Sequence, residues 1–156
     1  MSKKISFIYY GEIRGKGRPR FHNVCGWMKP YTDAETRNYE ASIKEAYLSS
    51  VKDRPIEEVT FFNGEPLKLT LKIYQAIPKS TSKKKAREMM AHAIYPTKKP
   101  DVDNILKSVC DSLNLVCWKD DTQIIKLESS KFYDEKNWME ITIEEVIPDS
   151  VTLLMF

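Results

Sequence analysis

The stretch that decides the fold spans residues 98–124 and reads KKPDVDNILKSVCDSLNLVCWKDDTQI. Its apolar residues recur at helical spacing, so it predicts an α-helix over about residues 101–114. At about 100° per residue, the core face of that helix comprises Val102, Ile105, Leu106, Val109 and Leu113. Carboxylates stand at both ends of the helix and lysines precede it, which a merely solvated helix does not require.

The acids at the start of this helix form an Asp-x-Asp pair, Asp101 and Asp103. As the expected N-cap, Asp101 has an extended backbone, and its carboxylate can turn toward that of Asp103. Two hard oxygen donors that converge in this way suit Mg²⁺. Asp103, Lys107 and Asp111 are spaced four residues apart and form one stripe on the solvent or cleft side. In the alternative interpretation, Asp101 only caps the helix, and Asp103 pairs with Lys107 for roughly 0.3 kcal/mol.

A second pair of acids, Asp120 and Asp121, follows the helix after a short connection through Trp118. This connection can return a third carboxylate toward the acids of the helix. The resulting cluster of like charges repels itself, which is energetically costly unless a cation is bound. The alternative is a simple Asp-Asp turn that leads into a strand at Thr122. Trp118 itself is expected in the core.

The rest of the chain alternates between strand and helix patterns. Strands are predicted at 3–10, 67–77, 122–132 and 137–147, and further helices at 33–51, capped by Asp33, and 82–94. A short hairpin turns near Gly26. Without an internal repeat or linker, this order predicts a single α/β (α+β) domain over residues 1–156, with a mixed β-sheet packed by helices.

Composition limits the class of protein. The 156 residues are 42% hydrophobic and 30% charged, as in an ordinary globular domain, and no apolar run approaches the roughly 20 residues of a membrane span. Three cysteines without CxxC spacing and only two histidines argue against a disulfide framework, a zinc knuckle and a histidine-rich metal site. We therefore expect a cytoplasmic protein with no membrane partner.

The net charge of +3 is unevenly distributed. Residues 14–37 carry a net +4 and residues 79–99 a net +6, so the remainder is acidic. Segregated positive charge suits a polyanionic partner such as a nucleic acid, although two solvated lysine-rich loops would show the same pattern. The expected phosphate contacts are Arg14, Lys16, Arg18, Arg20, Lys83, Lys84, Lys85, Lys98 and Lys99. Phe21 and Trp118 are aromatic candidates for stacking on unpaired bases. Such aromatics more often belong to the core, which is the position favoured for Trp118.

The 98–124 stretch resembles the RusA family of Holliday junction resolvases, whose signature is a basic residue followed by DxDNxxKxxxDxL and then WxDDxQ. The segment GKGRPRF at 15–21, with PYT and a helix downstream, resembles the N-terminal region of the phage- and prophage-borne members. The resemblance touches about residues 11–40 and 98–124. Extra sequence at about 23–32 and 52–64 makes this chain longer than the compact members.

The resemblance implies a Mg²⁺-dependent endonuclease, with Mn²⁺ as an alternative ion. Such an enzyme is a homodimer that nicks two opposed strands of a four-way DNA junction in recombination and repair. By position, the metal-binding acids of the family fall on Asp101, Asp103 and Asp121, and its functional lysine falls on Lys107; these four are the expected catalytic residues. Asp111 and Asp120 sit at family-typical acidic positions, with a supporting role.

Other classes of protein remain open at this point. One is a different metal-dependent nuclease that cuts flaps or other DNA at the same carboxylates, and another is a non-catalytic junction-binding protein. A nucleotidyl or nucleotide-sugar transferase could use Asp-x-Asp to hold a metal and a diphosphate, but it leaves the basic segments without a role. The C-terminal VTLLMF, residues 151–156, either packs across a dimer or covers the core of its own chain.

Overall fold

A mixed four-stranded sheet forms the centre of the computed structural model, which describes residues 2–55 and 61–149. In chain order the elements are β1 (Lys4–Tyr10), β2 (Arg20–Val24), β3 (Trp27–Tyr31), α1 (Ala34–Val51), β4 (Leu67–Ala76), α2 (Lys83–Met90), α3 (Val102–Leu113), β5 (Ile124–Asp134) and β6 (Trp138–Glu145). The order across the sheet is β1, β6, β4, β5. Strand β6 is antiparallel to β1 and β4, whereas β4 and β5 are parallel. Strands β2 and β3 form a separate antiparallel hairpin. The predicted fold class is confirmed.

One face of the sheet carries the core. Alternate residues of β1, β4 and β6 are buried and share that face because side chains alternate along a strand: Ile5, Phe7, Tyr9, Leu67, Leu69, Leu71, Ile73, Met139, Ile141 and Ile143. Buried residues of α1 and α3 join them in a single hydrophobic cluster. In one such contact, the rings of Phe7 and Tyr47 meet edge to face with centroids 5.5 Å apart. The alternation read from the sequence therefore identifies the buried side of the sheet.

The ends of the helices follow local side-chain chemistry. Helix α1 begins after Asp33, whose carboxylate accepts the N–H of Thr36 at 2.8 Å, as predicted for a cap. Helix α2 ends at Met90, before the expected limit at residue 94, because the chain turns at His92, where φ is 59°. Strand β5 begins two residues later than expected, because Asp121–Gln123 form a single 3₁₀ turn.

Some expectations fall outside the described residues. The C-terminal segment 151–156 does so completely, as does the stretch 56–60 within the extra sequence at 52–64. In the part of the chain that the structure describes, no helix is both long enough and apolar enough to cross a membrane.

Candidate active site

Helix α3 presents its acids from an anchored position. Its core face is held by fully buried side chains: Ile105, Val109 and Leu113. Away from that face, Asp103, Lys107 and Asp111 are all exposed, as their four-residue spacing predicts. Asp101 is the N-cap, with φ −71° and ψ 147°, and its carboxylate makes no capping hydrogen bond. Asp101 and Asp103 are therefore both open to a ligand.

Lys131, on β5, holds the segment that leads into α3. Its ammonium donates hydrogen bonds to the carbonyl oxygens of Lys98 at 2.8 Å and Pro100 at 3.0 Å. Burial lowers the pKa of Lys131, and the charge of nearby Asp101 acts in the opposite direction. The sequence reasoning missed this residue, because a lysine within a strand pattern does not reveal which loop its side chain reaches.

Residues 11–19 link β1 to β2 and form a strap across the first turn of α3. The backbone N–H of Lys16 donates to the carbonyl oxygen of Asn104 at 3.0 Å. A Cβ atom on Gly15 would lie only 2.9 Å from the Cβ of Asn104, so glycine permits this close approach. The strap and the start of α3 enclose a pocket of about 330 Å³, lined among others by Arg18, Lys99 and Asp101.

Two of the predicted DNA-binding cations, Lys16 and Arg14, form ion pairs within the protein. The ammonium of Lys16 lies 2.5 Å from Glu40 Oε1 and 2.7 Å from Asp111 Oδ2, which ties the strap to α1 and α3. The guanidinium of Arg14 lies 2.6 Å from Glu35 Oε2. The other predicted cations are exposed and form no ion pair with the described residues: Arg18, Arg20, Lys83, Lys84, Lys85, Lys98 and Lys99. For all nine, contact with DNA stays a prediction.

The connection that follows α3 is anchored by Trp118. This side chain is fully buried, as predicted, and its indole N–H donates to Asn114 Oδ1 at 2.6 Å. The backbone of Phe62 bonds on both sides of it, donating to the carbonyl of Cys117 at 3.0 Å and accepting from the N–H of Lys119 at 3.1 Å. These contacts fix the direction in which Asp120 and Asp121, the two acids after Lys119, leave the core.

Among the described residues, Asp121 is the only acid whose surroundings raise its pKa. Burial raises its pKa, and interactions with Asp120 and Asp111 raise it further. By contrast, the pKa of Asp120 is lowered, chiefly because its carboxylate accepts the backbone N–H of Thr122 at 3.1 Å. A pocket of about 350 Å³ lies beside Asp121 and is also lined by Lys107 and Asp111. The structure therefore brings Lys107, Asp111 and Asp121 to one pocket.

The predicted acids form two groups along α3. Asp101 and Asp103 lie at its first turn, and Asp111 lies in its last turn, close to Asp120 and Asp121. Eight residues at 1.5 Å each place Asp111 about 12 Å along the helix axis from Asp103. Among the described residues, no three His, Cys, Asp or Glu side chains are grouped so that they could hold a metal ion. The convergence of Asp101, Asp103 and Asp121 on one ion stays a prediction.

Gln123 holds the Asp120-Asp121 turn in place. Its buried side-chain amide donates to the carbonyl oxygens of Phe62 at 3.1 Å and Glu65 at 3.0 Å. Its Oε1 accepts the backbone N–H of Lys119 at 3.0 Å and of Asp120 at 3.1 Å. The glutamine of the WxDDxQ pattern is thus a positioning residue, a role that the pattern alone did not reveal.

We expect Gln123→Leu to lower the free energy of unfolding by about 3 kcal/mol, because it removes the hydrogen-bond partner of the Glu65 carbonyl and of the Asp120 N–H. The measurement is equilibrium unfolding in urea. Gln75→Leu is the matched control, since Gln75 Oε1 is buried and accepts no hydrogen bond from the described residues. That change is expected to be neutral or stabilising. Equal losses in the two variants would contradict the positioning role of Gln123.

Most of the chain matches a known protein family. The family model described as endodeoxyribonuclease RusA matches residues 11–144. The chain belongs to the RusA family. The matched span includes the strap, α3 and the Asp120-Asp121 turn, so both acid groups lie inside it. The predicted resemblance is confirmed.

Two known proteins are similar to this chain over most of its length. The uncharacterized protein YqaN of Bacillus subtilis (strain 168) is 37% identical over 144 residues, which cover 91% of this chain and 96% of that protein. The crossover junction endodeoxyribonuclease rusA of Lactococcus phage r1t is 36% identical over 124 residues, or 79% of this chain and 82% of that protein. The predicted enzyme class, an endodeoxyribonuclease, is confirmed. RusA membership also supports an endonuclease that resolves Holliday junctions and takes branched DNA as substrate.

RusA-family nucleases depend on a metal, and the donor atoms here fit a hard cation. Both acid groups offer carboxylate oxygens. The one thiol at the pocket beside Asp121 belongs to Cys110, whose pKa burial and nearby acids raise to about 12, so it stays protonated. Mg²⁺ is commonly held by one or two carboxylates with water and phosphate oxygens, without a full protein cage. A pair of carboxylates at either end of α3 meets that requirement.

Proposed function

We propose that this protein resolves four-way DNA junctions by Mg²⁺-dependent, paired symmetric nicking. The observation that supports the proposal most is the crowding around Asp121. Its pKa is raised by burial and by the neighbouring acids Asp120 and Asp111, while Lys107 lines the same pocket. Crowded carboxylates of this kind favour a bound cation, and a lysine beside them can meet a phosphate. The RusA family supplies the substrate class.

Each residue of the proposed site has a distinct task. Asp101 and Asp103, at the first turn of α3, and Asp121, beside its last turn, are the proposed ligands of one or two Mg²⁺ ions, or of Mn²⁺ in their place. When bound, the ion polarises the scissile phosphate and lowers the pKa of the attacking water. Lys107 extends from the same face of α3 as Asp103, and its ammonium is proposed to stabilise charge that develops on the phosphate oxygens.

Two supporting acids act on Asp121 rather than on the DNA. Asp111 is held by the ammonium of Lys16 at 2.7 Å, so its orientation is set by the strap. Asp120 caps the 3₁₀ turn through the N–H of Thr122. In this proposal both keep the carboxylate of Asp121 in its position and keep its surroundings negative.

The exposed cations are the proposed contacts for the phosphate backbone of DNA. Lys98 and Lys99 precede the first turn of α3, and Arg18 lines the pocket that contains Asp101. Contacts of this type position DNA without reading its sequence. The lysines of α2, at 83–85, extend the positive surface beyond the active site.

The substrate also suggests the assembly. A four-way junction offers two equivalent strands, and a two-fold symmetric homodimer places one active site on each. We propose that residues 1–156 form one RusA-like domain. We also propose that its dimer acts in DNA recombination and repair in the cytoplasm, and that a prophage encodes the protein.

The test is cleavage of a fixed four-way junction, with the strands labelled one at a time. We expect symmetric nicks in two opposed strands in Mg²⁺ and complete loss in EDTA. Three-way, flap and linear duplex DNA of the same arm sequences serve as controls. Equal cleavage of flaps would instead indicate another branched-DNA nuclease. Tight binding without cleavage in either Mg²⁺ or Mn²⁺ would indicate a non-catalytic junction-binding protein.

A further inference from the structure

The β2–β3 hairpin stands apart from the sheet and exposes both of its faces. Neither strand pairs with the four-stranded sheet, and all ten strand residues except Val24 are exposed. The indole of Trp27 is 76% exposed, Met28 is 63% exposed and Phe21 is 58% exposed. An isolated two-stranded hairpin is only marginally stable in water, so large apolar side chains on both faces favour a partner.

The strand register defines the two faces of the hairpin. Directly opposed residues share a face, and so do second neighbours along each strand. One face, which we call the aromatic–basic face, carries Arg20, His22, Val24, Trp27, Lys29 and Tyr31. The rings of His22 and Tyr31 meet on it with centroids 5.1 Å apart. Cations thus alternate with rings, which is the arrangement that binds unstacked nucleic acid.

The charge of the hairpin fits the same partner. Residues 18–32 contain three arginine or lysine side chains within the hairpin or at its base, and no acid. Within the described residues, Arg20 and Lys29 form no ion pair, so their charge is not neutralised by the protein. A protein surface that docks on this hairpin would have to be acidic, whereas DNA supplies phosphate and flat bases together.

The base of the hairpin is continuous with the active site. The strap that leads into β2 lies on Asn104 in the first turn of α3, and Arg18 lines the same pocket as Asp101. From Arg20 to Val24, four steps of 3.4 Å carry the chain about 14 Å outward to the tip beside Trp27. DNA held at Asp101 therefore lies within reach of the aromatic–basic face.

We propose that the hairpin enters the branch point of the junction and stacks Trp27 on a base exposed where the arms meet. Arg20 and Lys29 then contact the phosphates on either side. Within a continuous duplex every base is already stacked, so this contact is specific to branched DNA. The inference rests on the proposed function, because it takes a four-way junction as the substrate, and it assigns the recognition of the branch to a segment outside the catalytic residues.

Cys25 at the hairpin turn allows a direct test. It is exposed, while the other two cysteines, Cys110 and Cys117, are buried. A junction is made with a base that bears a short tether ending in a mixed disulfide, placed either at the branch or ten base pairs into one arm. The Cys25 thiolate attacks the tether sulfur, a protein–DNA disulfide forms, and the small thiol leaves with the electron pair and takes up a proton. Ca²⁺ replaces Mg²⁺ so that proximity is measured apart from cleavage.

We expect cross-linking at the branch to be about tenfold faster than in the arm, and Cys25→Ser to abolish it. Equal rates at the two positions, or a faster reaction in the arm, would overturn the proposal and indicate that the hairpin reads a groove. Cross-linking that persists in Cys25→Ser would also overturn the proposal, because the reacting thiol would then be a cysteine other than Cys25.

A second variant separates stacking from mere proximity. Trp27→Ala is expected to weaken binding of the four-way junction about tenfold and to leave linear duplex binding unchanged. Tyr10→Ala removes another exposed ring, 72% exposed on β1, and is expected to change neither. Equal losses on both DNAs, or no loss on the junction, would overturn the stacking contact. If wild-type protein cleaves junctions while Trp27→Ala binds them normally, the proposed function stands and this inference fails.

Discussion

Asp121→Asn is expected to reduce the rate of junction cleavage by about a thousandfold while junction binding is retained. The asparagine keeps the size of the side chain and removes the charge. A loss of about 4 kcal/mol of transition-state stabilisation corresponds to this factor. Binding should persist because the exposed cations that we assign to phosphate contacts lie on the strap, at the start of β2, on α2 and before α3, and none of them lines the pocket beside Asp121. Single-turnover cleavage of a labelled junction and a gel-shift titration measure the two effects.

The matched control is Asp53→Asn, the same chemical change at an exposed position just after α1. It should leave both cleavage and binding at the wild-type level. A second control is the unfolding midpoint of Asp121→Asn, which should not fall, because the substitution relieves repulsion from Asp111 and Asp120. Cleavage by Asp121→Asn within a few-fold of the wild type would remove Asp121 from the proposed ligand set.

Local patterns predicted the parts of this site that depend on one segment. The apolar spacing of residues 101–114 identified the buried face of α3, and the same spacing placed Asp103, Lys107 and Asp111 in the open. The N-cap position of Asp101 followed from its place before the first helical turn. A helix has a fixed period, so its faces can be calculated from sequence without knowledge of the rest of the fold.

Contacts between distant segments were not predictable in the same way. Lys16 was expected to bind phosphate, yet its ammonium lies between Glu40 of α1 and Asp111 of α3. Counting charge along the chain gives the sign of a segment but does not show which acid lies opposite each cation. The hydrogen bonds from Lys131 to the loop before α3 could not be predicted for the same reason.

The hairpin illustrates a different limit. A turn near Gly26 was predicted, and β2 and β3 flank it, with φ of 83° at that glycine. The sequence could not show that both faces are exposed, because burial depends on whether another element covers the strands. Phe21 was singled out for stacking, whereas the structure exposes Trp27 more fully and places it beside the turn.

Lys107→Met is expected to lower kcat for junction cleavage about a hundredfold with little change in KM. Methionine preserves the length and apolar stem of the side chain, so the variant removes the charge without opening the pocket. A cation that stabilises charge developing on phosphate acts mainly in the transition state. Contacts of this kind raise the rate by about 10²–10³-fold, the order of magnitude found for oxyanion-hole donors. A contact equally strong in the ground state would instead raise KM and leave kcat unchanged.

The control for Lys107→Met is Lys52→Met, which removes an exposed lysine at the C-cap of α1, away from the pocket. Multiple-turnover kinetics on the same four-way junction give kcat and KM for both variants. If Lys107 only forms a helix ion pair with Asp103 or Asp111, its loss should cost a few tenths of a kcal/mol of stability and leave cleavage intact. Unchanged kcat with a lower unfolding midpoint would therefore assign Lys107 to the helix, and a hundredfold loss at an unchanged midpoint would assign it to the scissile phosphate.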